Sequence, residues 1–271
     1  MSAEPAGVGL PELERVPGTV AFSVPGWGEC RADEVLPLAS VGKLLLLATV
    51  ARGFADGELD PEEALVLRDH DYCAGSGLLL KLSARRWTLD DLARLTAAVS
   101  DNTATNALLR RVGLDRVAEN TARLGLEHTR ILDRIREPRL PEHPPTFAVG
   151  TARELAALAG TAARDPLMLE WMASCVDRSM VPAAIPHDPE DSAVRELPVA
   201  GLCATDKIWV ANKTGTDVGV RGDVGVVRGV RQVCYAVLTR CEPGREFEMV
   251  LAMRAIGARV AELAGQEYAG Q

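Results

Sequence analysis

The strand-like segments of this chain lie near its two ends, on either side of a helix-rich middle. Residues 19–24 form the first of them. Three more follow late in the chain, at residues 208–212, 222–228 and 232–239, separated by glycines or basic residues. Short separations of this kind favour antiparallel pairing. We therefore predict an α/β fold of the α+β type: an antiparallel sheet built from both termini, flanked by helices, with an all-helical insertion.

The helical middle contains segments with recognisable starts. Thr88 and Thr151 each open a capping-box pattern, and an apolar stripe at helical spacing follows Thr88. A final helix is predicted over residues 245–263. The chain is expected to be one domain over residues 1–271, with a sheet part at about residues 1–45 and 206–271 and a helical part at residues 46–205.

The chain is acidic, with a formal net charge of −8 over 271 residues. A negative surface repels phosphate backbones, so nucleic acid is not expected as a partner. The longest apolar run, residues 44–51, is far too short to cross a bilayer. No basic segment followed by an apolar stretch comes after Met1. These features predict a cytoplasmic protein without a membrane partner and leave its oligomeric state open.

The cysteines and histidines show no metal-binding pattern. The six cysteines include no C-x-x-C pair, and the four histidines are scattered along the chain. Structural zinc sites and disulfide frameworks both need characteristic spacings. We therefore expect no metal, no cofactor and no disulfide framework.

Two polar side chains, at residues 40 and 43, come just before the longest apolar run. Because Ser40 and Lys43 are three residues apart, they share one face of a helix and their side chains can touch. A lysine whose pKa is lowered by desolvation and nearby cations can take the proton of a serine hydroxyl. A helix N-terminus also offers N–H groups to an oxyanion. The tetrapeptide alone equally fits an N-cap serine beside a lysine that extends to water.

Ser100, Asp101 and Asn102 lie between two predicted helices, where the chain must turn. In structural terms, Asp101 is expected to cap the second helix. In functional terms, Ser100 is a candidate relay of a proton to a leaving group. Asn102 carries an amide able to hold a substrate. Both interpretations stay open at this point.

A third polar cluster, residues 213–216, comes at the end of a predicted strand. Taken alone, it is an ordinary edge strand with an exposed lysine. As part of a site, Lys213 and Thr214 would put a cation and a hydroxyl beside the nucleophile. Gly215 would let a substrate backbone approach closely, and the Thr216 N–H would be a second donor to an oxyanion.

The three clusters occur in a definite order: Ser-x-x-Lys at 40–43, Ser-Asp-Asn at 100–102 and Lys-Thr-Gly at 213–215. In this order and context, the chain resembles the active-site serine β-lactamases and penicillin-binding proteins, for which these motifs are typical. Residues 99–106 are similar to class A enzymes in particular. The resemblance covers nearly the whole chain and implies a β-lactamase/DD-peptidase-like fold.

The resemblance implies roles in acyl transfer for the matching residues. Ser40 would be acylated, Lys43 would accept its proton, and Ser100 would relay a proton to the departing nitrogen. The oxyanion would lie between the backbone N–H groups of Ser40 and Thr216.

The resemblance also implies a substrate-binding set. Asn102 would bind the side-chain amide of the substrate, and Lys213 and Thr214 would lie near its carboxylate. Arg221 is similar to the arginine that many class A enzymes present to that carboxylate. An exposed strand arginine is the alternative.

A glutamate motif matches only in part. Residues 137–140 read Glu-Pro-Arg-Leu, similar to the class A loop whose glutamate and asparagine hold the hydrolytic water. Glu137 is thus a candidate base, although a glutamate on a solvated loop is an equally natural interpretation. Pro141 stands in the place of the asparagine and has no side-chain donor or acceptor for that water. The aspartate that would pair with an arginine of this loop is not evident around Val149.

We therefore expect a serine hydrolase that opens β-lactam or related amide bonds through an acyl-enzyme on Ser40, with a small molecule as its substrate. Because Pro141 argues against fast hydrolysis, the second hypothesis is an esterase, amidase or acyl transferase acting on a non-lactam metabolite. The third is a non-catalytic binding or sensor module. The presence of both serines and both lysines of the three motifs argues against this non-catalytic hypothesis.

Overall fold

A computed structural model describes residue 10, residue 13, residues 15–194 and residues 208–265 of the chain. Its strands are β1 (Gly18–Val24), β2 (Gly28–Cys30), β3 (Leu36–Pro37), β4 (Ala64–Val66), β5 (Arg86–Thr88), β6 (Arg130–Ile131), β7 (Ala148–Gly150), β8 (Trp209–Asp217), β9 (Val220–Arg228) and β10 (Gln232–Cys241). Its helices are α1 (Lys43–Ala55), α2 (Leu89–Ala98), α3 (Asn102–Val112), α4 (Leu114–Arg123), α5 (Ala152–Ala162), α6 (Pro166–Ala173) and α7 (Glu246–Gly265). Cys203 lies outside the described residues.

The main sheet has the strand order β2-β1-β10-β9-β8, and every neighbouring pair runs antiparallel. Strands from the two ends of the chain meet side by side, for example where Phe22 pairs with Val237. The predicted sheet built from both termini is therefore confirmed. Strand β8 stays paired with β9 as far as Asp217, beyond its predicted limit at residue 212, so the third polar cluster lies inside the strand. Because β8 is an edge strand, one side of its backbone is not used by the sheet.

The sheet buries apolar side chains on both faces. On one face, Phe22 belongs to a buried cluster with Met253 of α7. On the other face, Val226 belongs to a cluster that includes Leu46 of α1 and Leu155 of α5. The second cluster continues into the other helices of the insertion, so the sheet and the insertion share one hydrophobic core. The division of the chain into a sheet part and a helical part stays a prediction.

Three helices begin at the capping residues that the sequence predicts. Thr88, Asp101 and Thr151 each accept a hydrogen bond from the backbone N–H three residues later, at 3.0, 2.9 and 3.2 Å. Each bond satisfies a backbone donor that the helix itself leaves unpaired. These caps confirm the predicted starts of α2, α3 and α5.

Other features of the insertion differ from the sequence prediction. The patterns used above do not anticipate α4 or α6, although α6 has a clear start at its N-cap Asp165 with Pro166 as first residue. The insertion is mainly helical, but it also contains the short strand pairs β4–β5 and β6–β7. The sequence of residues 188–205 is polar and then mixed, which is typical of an inserted loop, and the structure describes this stretch only as far as residue 194.

Candidate active site

Ser40 lies on a short 3₁₀ turn that leads into α1, and Lys43 is the first residue of the helix itself. The serine therefore precedes the helix that it was predicted to open. The residue before it, Ala39, has a φ of +45°, a left-handed conformation that is unusual for a residue with a Cβ. Backbone strain of this kind clusters at active sites and marks the turn as a candidate.

Strand β8 packs directly against this turn. A Cβ on Gly215 would lie 2.5 Å from the Leu38 carbonyl oxygen and 2.9 Å from the Val41 nitrogen. A residue with a side chain does not fit there, so glycine permits the edge of the sheet to come next to the turn. The close approach that Gly215 allows is to the protein itself, whereas the sequence suggested a substrate backbone.

A cavity of about 450 Å³ opens between the turn, the start of α3 and strand β8. A volume of this size suits a small molecule. Its wall includes most of the residues that the sequence singled out: Ser40, Ser100, Asn102, Glu137, Lys213, Thr214 and Thr216. Lys43 is fully buried behind this wall and is hydrogen-bonded to two of its residues.

The Lys43 ammonium donates hydrogen bonds to the Ser100 carbonyl oxygen at 2.6 Å, to Ser100 Oγ at 3.0 Å and to Asn102 Oδ1 at 2.8 Å. Among the described hydrogen bonds of this ammonium, none is to Ser40. Burial, and then the nearby Lys213 cation, lower the pKa of Lys43 well below its ordinary value. Such a lysine gives up its proton more readily than an exposed one and can then act as a base.

Ser100 joins the two buried lysines. Its backbone is in the left-handed region, with a φ of +55°. Its Oγ accepts one hydrogen bond from Lys43 Nζ and one from Lys213 Nζ, both at 3.0 Å. Because a hydroxyl has two acceptor positions and one donor, these bonds leave its proton for a third group in the cavity. This is the geometry of a proton relay.

The Asn102 amide makes most of its hydrogen bonds inside the protein. Its Oδ1 accepts from Lys43 and lies 3.2 Å from Ser76 Oγ, and its Nδ2 donates to the Ala74 carbonyl oxygen at 2.7 Å. An amide nitrogen carries two hydrogens. One Nδ2 hydrogen therefore remains for a bound molecule.

Ser76 is a residue of the cavity wall that sequence reasoning missed. Its hydroxyl donates to the Ser100 carbonyl oxygen at 2.6 Å, which ties the loop that carries it to the start of α3. The sequence feature that could have identified Ser76 is the pair of glycines on either side of it. Gly75 and Gly77 have φ values of +97° and +111°, which residues with side chains rarely adopt.

Lys213 is fully buried and lies on the strand side of the cavity. Besides its bond to Ser100, its Nζ donates to the Thr214 carbonyl oxygen at 2.9 Å. Burial lowers the pKa of Lys213, while its acidic neighbours Asp177 and Asp223 oppose this change. Asp223 is itself completely buried, and this burial raises its pKa to about 7. Lys213 is thus a buried cation beside two acidic side chains.

The loop between β6 and β7 forms another part of the wall and carries the exposed Glu137. Asp133 pairs with Arg136 at 2.6 Å and with Arg139 at 3.4 Å. The acid that holds the arginines of this loop therefore lies at the start of the loop and not near Val149. This ion-pair arrangement could not be read from the resemblance, because the acid stands at a different place in the chain.

Asn106 of α3 fixes the same loop from inside. Its Nδ2 donates to the Ile135 carbonyl oxygen at 3.0 Å, and its Oδ1 accepts from the Ile135 N–H at 2.9 Å. These two bonds hold the backbone two residues before Glu137. Pro141 is exposed and is not among the described residues that line the cavity.

Arg221, expected beside a substrate carboxylate, turns away from the cavity. Its Nη1 donates to the backbone carbonyl oxygens of Asp217 and Val220, both at 2.7 Å. Arg221 is not among the described residues of the cavity wall, which carries Asp177 and Asp217 on this side. Two acids therefore occupy a region where the resemblance implies a cation.

Comparison with known proteins shows the family of this chain. The model of the β-lactamase enzyme family matches residues 23–264. A β-lactamase of Streptomyces fradiae is 33% identical over 240 residues, which cover 83% of this chain and 73% of that relative. The chain belongs to the β-lactamase enzyme family. It is a serine hydrolase, as its sequence predicts.

Two solved structures share the fold of this β-lactamase family member. The β-lactamase from Sphaerobacter thermophilus matches with a TM-score of 0.75 and 27% identity, over 93% of this chain and 94% of that one. PBP-A matches with a TM-score of 0.74 and 22% identity, over 93% and 92%. The predicted β-lactamase/DD-peptidase-like fold is therefore confirmed. Within the part of the chain that the structure describes, no helix has the length and apolar character needed to span a membrane.

Proposed function

We propose that this enzyme opens β-lactam or related amide bonds through an acyl-enzyme on Ser40. The observation that carries the proposal is the Ser100 hydroxyl, which accepts hydrogen bonds from Lys43 and Lys213 on the wall of the cavity that also holds Ser40. A nucleophile, a base and a proton relay then surround one bound small molecule. The name of the Streptomyces fradiae relative, a β-lactamase, supports the same substrate class.

In the acylation step, Ser40 Oγ attacks the carbonyl carbon of the lactam and its proton passes to neutral Lys43. The lowered pKa of Lys43 makes that neutral form accessible. We assign the backbone N–H groups of Ser40 and Thr216 as donors to the developing oxyanion. The bond between the carbonyl carbon and the nitrogen then breaks, and Ser100 supplies a proton to the departing nitrogen while Lys43 returns one to Ser100.

In the deacylation step, a water must attack the ester on Ser40. We assign Glu137 as the base for this water, because it lines the same cavity. Pro141 offers the water no side-chain partner. We therefore expect deacylation to be slower than acylation. An acyl group that persists on the serine can pass to another nucleophile, as in an acyl transferase.

Time-resolved intact-mass spectrometry with a penicillin tests the proposal. Ring opening keeps every atom of the lactam on the enzyme, so the wild type should gain the full mass of the penicillin. Ser40→Ala should gain none, and Ser83→Ala, which changes an exposed serine, should behave like the wild type. Glu137→Ala should form the adduct at the wild-type rate and lose it more slowly. A wild-type enzyme that neither forms an adduct with any penicillin nor hydrolyses one would overturn the proposal.

A further inference from the structure

The cavity wall near Thr214 carries a carboxylate that the protein holds in place. The Asp177 side chain accepts hydrogen bonds from the Ser179 N–H at 3.1 Å and from the Ser179 hydroxyl at 2.7 Å. The Asp177 carbonyl oxygen accepts from Asn212 Nδ2 at 3.2 Å. The next residue, Arg178, donates to Asn212 Oδ1 at 2.6 Å. Side chain and backbone are both anchored, so Asp177 is a fixed part of the wall.

The groups that would receive a substrate carboxylate lie beside this acid or are directed elsewhere. Burial raises the pKa of Asp177, but the hydrogen bonds from Ser179, the neighbouring Thr214 hydroxyl and the charge of Lys213 bring it below its ordinary value. Asp177 is therefore ionised at neutral pH and offsets the charge of the lysine. Arg221 donates to backbone carbonyl oxygens and does not line the described part of the wall, which carries Asp217 as a second acid.

We infer that Asp177 determines specificity by selecting substrates whose group beside Thr214 is neutral or cationic rather than a carboxylate. The inference rests on the proposed function, because it concerns one end of the molecule that acylates Ser40. An incoming carboxylate would meet a fixed negative charge in a cavity partly shielded from water, where like charges repel more strongly than in bulk solvent. An amine, amide or hydroxyl would instead donate a hydrogen bond to Asp177.

The test uses three penicillin derivatives that differ only at the carboxylate: the free acid, its methyl ester and its 2-aminoethyl amide. The measured quantity is the second-order rate constant for adduct formation on Ser40, followed by intact mass. For the wild type, we expect the amine-bearing amide to react fastest and the free acid to react about tenfold more slowly than the ester. In Asp177→Asn, the ratio of the ester rate to the acid rate should fall by about the same factor.

Asp115→Asn is the matched control, because it removes the same charge from an exposed position on α4. It should leave the order of the three compounds unchanged. A wild type that reacts faster with the free acid than with the ester would overturn the inference, and this comparison needs no variant. The inference would also be overturned if the ratio of the ester rate to the acid rate were the same in the wild type and in folded Asp177→Asn. Neither result affects the proposed function, which fails, together with the inference, if none of the three compounds forms an adduct or is hydrolysed.

Discussion

The two sides of the cavity are built in different ways. On the lysine side, formed by α1, the start of α3 and β8, Lys43 and Lys213 are completely buried and meet at Ser100 through bonds of 2.6 to 3.0 Å. On the loop side, formed by residues 132–147, Glu137 is exposed on an irregular segment. Groups that are positioned before the substrate arrives need no reorganisation during the reaction. The comparison therefore suggests that acylation is well supported and that deacylation is the weaker step.

The largest effect is expected from Lys43→Met, which removes the proposed base and its hydrogen bonds on the lysine side. The rate constant of acylation by a penicillin should fall by about 10²-fold to 10⁴-fold, since a positioned base contributes about that much. Intact-mass time courses measure it. Lys81→Met, at an exposed lysine, should have no effect. An acylation rate constant of Lys43→Met within about tenfold of the wild-type value would show that acylation does not depend on the lysine side.

A smaller effect is expected on the loop side from Pro141→Asn. An asparagine amide can give the hydrolytic water the partner that proline lacks, so the adduct should decay about tenfold faster. Decay is followed by mass after removal of excess penicillin. The exposed Pro145→Asn serves as control. The gain should disappear when Glu137→Ala is added. An unchanged decay rate in Pro141→Asn would mean that this position does not limit deacylation.

Lys213→Gln should change the pH dependence of acylation. Removing this cation takes away one of the causes that lower the pKa of Lys43, so that pKa rises. The neutral form of Lys43 then appears only at higher pH, and the acid limb of the acylation profile moves to higher pH. Acylation rate constants measured at each pH at which the enzyme stays folded locate this limb. Lys81→Gln, which removes the charge of an exposed lysine, is the control. A shift to lower pH contradicts the proposed coupling of the lysines.

The smallest effect is expected from Asp133→Asn, which breaks the ion pairs at the base of the loop side. Burial raises the pKa of Asp133, but hydrogen bonds and the charges of Arg136 and Arg139 bring it below its ordinary value. A lowered pKa means that the carboxylate stabilises the fold at neutral pH and that this stabilisation is lost as the pH falls. At neutral pH the variant should be less stable by about 1 kcal/mol, because it loses charge-assisted hydrogen bonds.

Urea unfolding at neutral pH and again in acid measures this difference, which should shrink in acid. Asp69→Asn is the matched control, because Asp69 also pairs with an arginine but its side chain is 89% exposed. Exposed ion pairs contribute little to stability. A difference that stays constant down to acid pH would show that Asp133 does not act through its charge.

Much of the fold was predictable because it depends on interactions between residues close in sequence. The caps at Thr88, Asp101 and Thr151 each satisfy an N–H only three residues away, so the local sequence is sufficient to specify them. The late strands are likewise marked by a local signal, because glycines or basic residues separate them along the sequence. Helices α4 and α6 were not predicted, because apolar residues at helical spacing did not identify them.

By itself, the sequence determined the order of the polar clusters, the sheet assembled from both termini and the family to which the enzyme belongs. Only the tertiary structure decided that Ser100 lies between two lysines, that Gly215 faces the turn of Ser40, and that Arg221 leaves the cavity while Asp177 lines it. The physical reason is that these contacts join segments far apart in the chain. Their geometry follows from how the sheet packs on the helical insertion, which no local pattern of residues encodes.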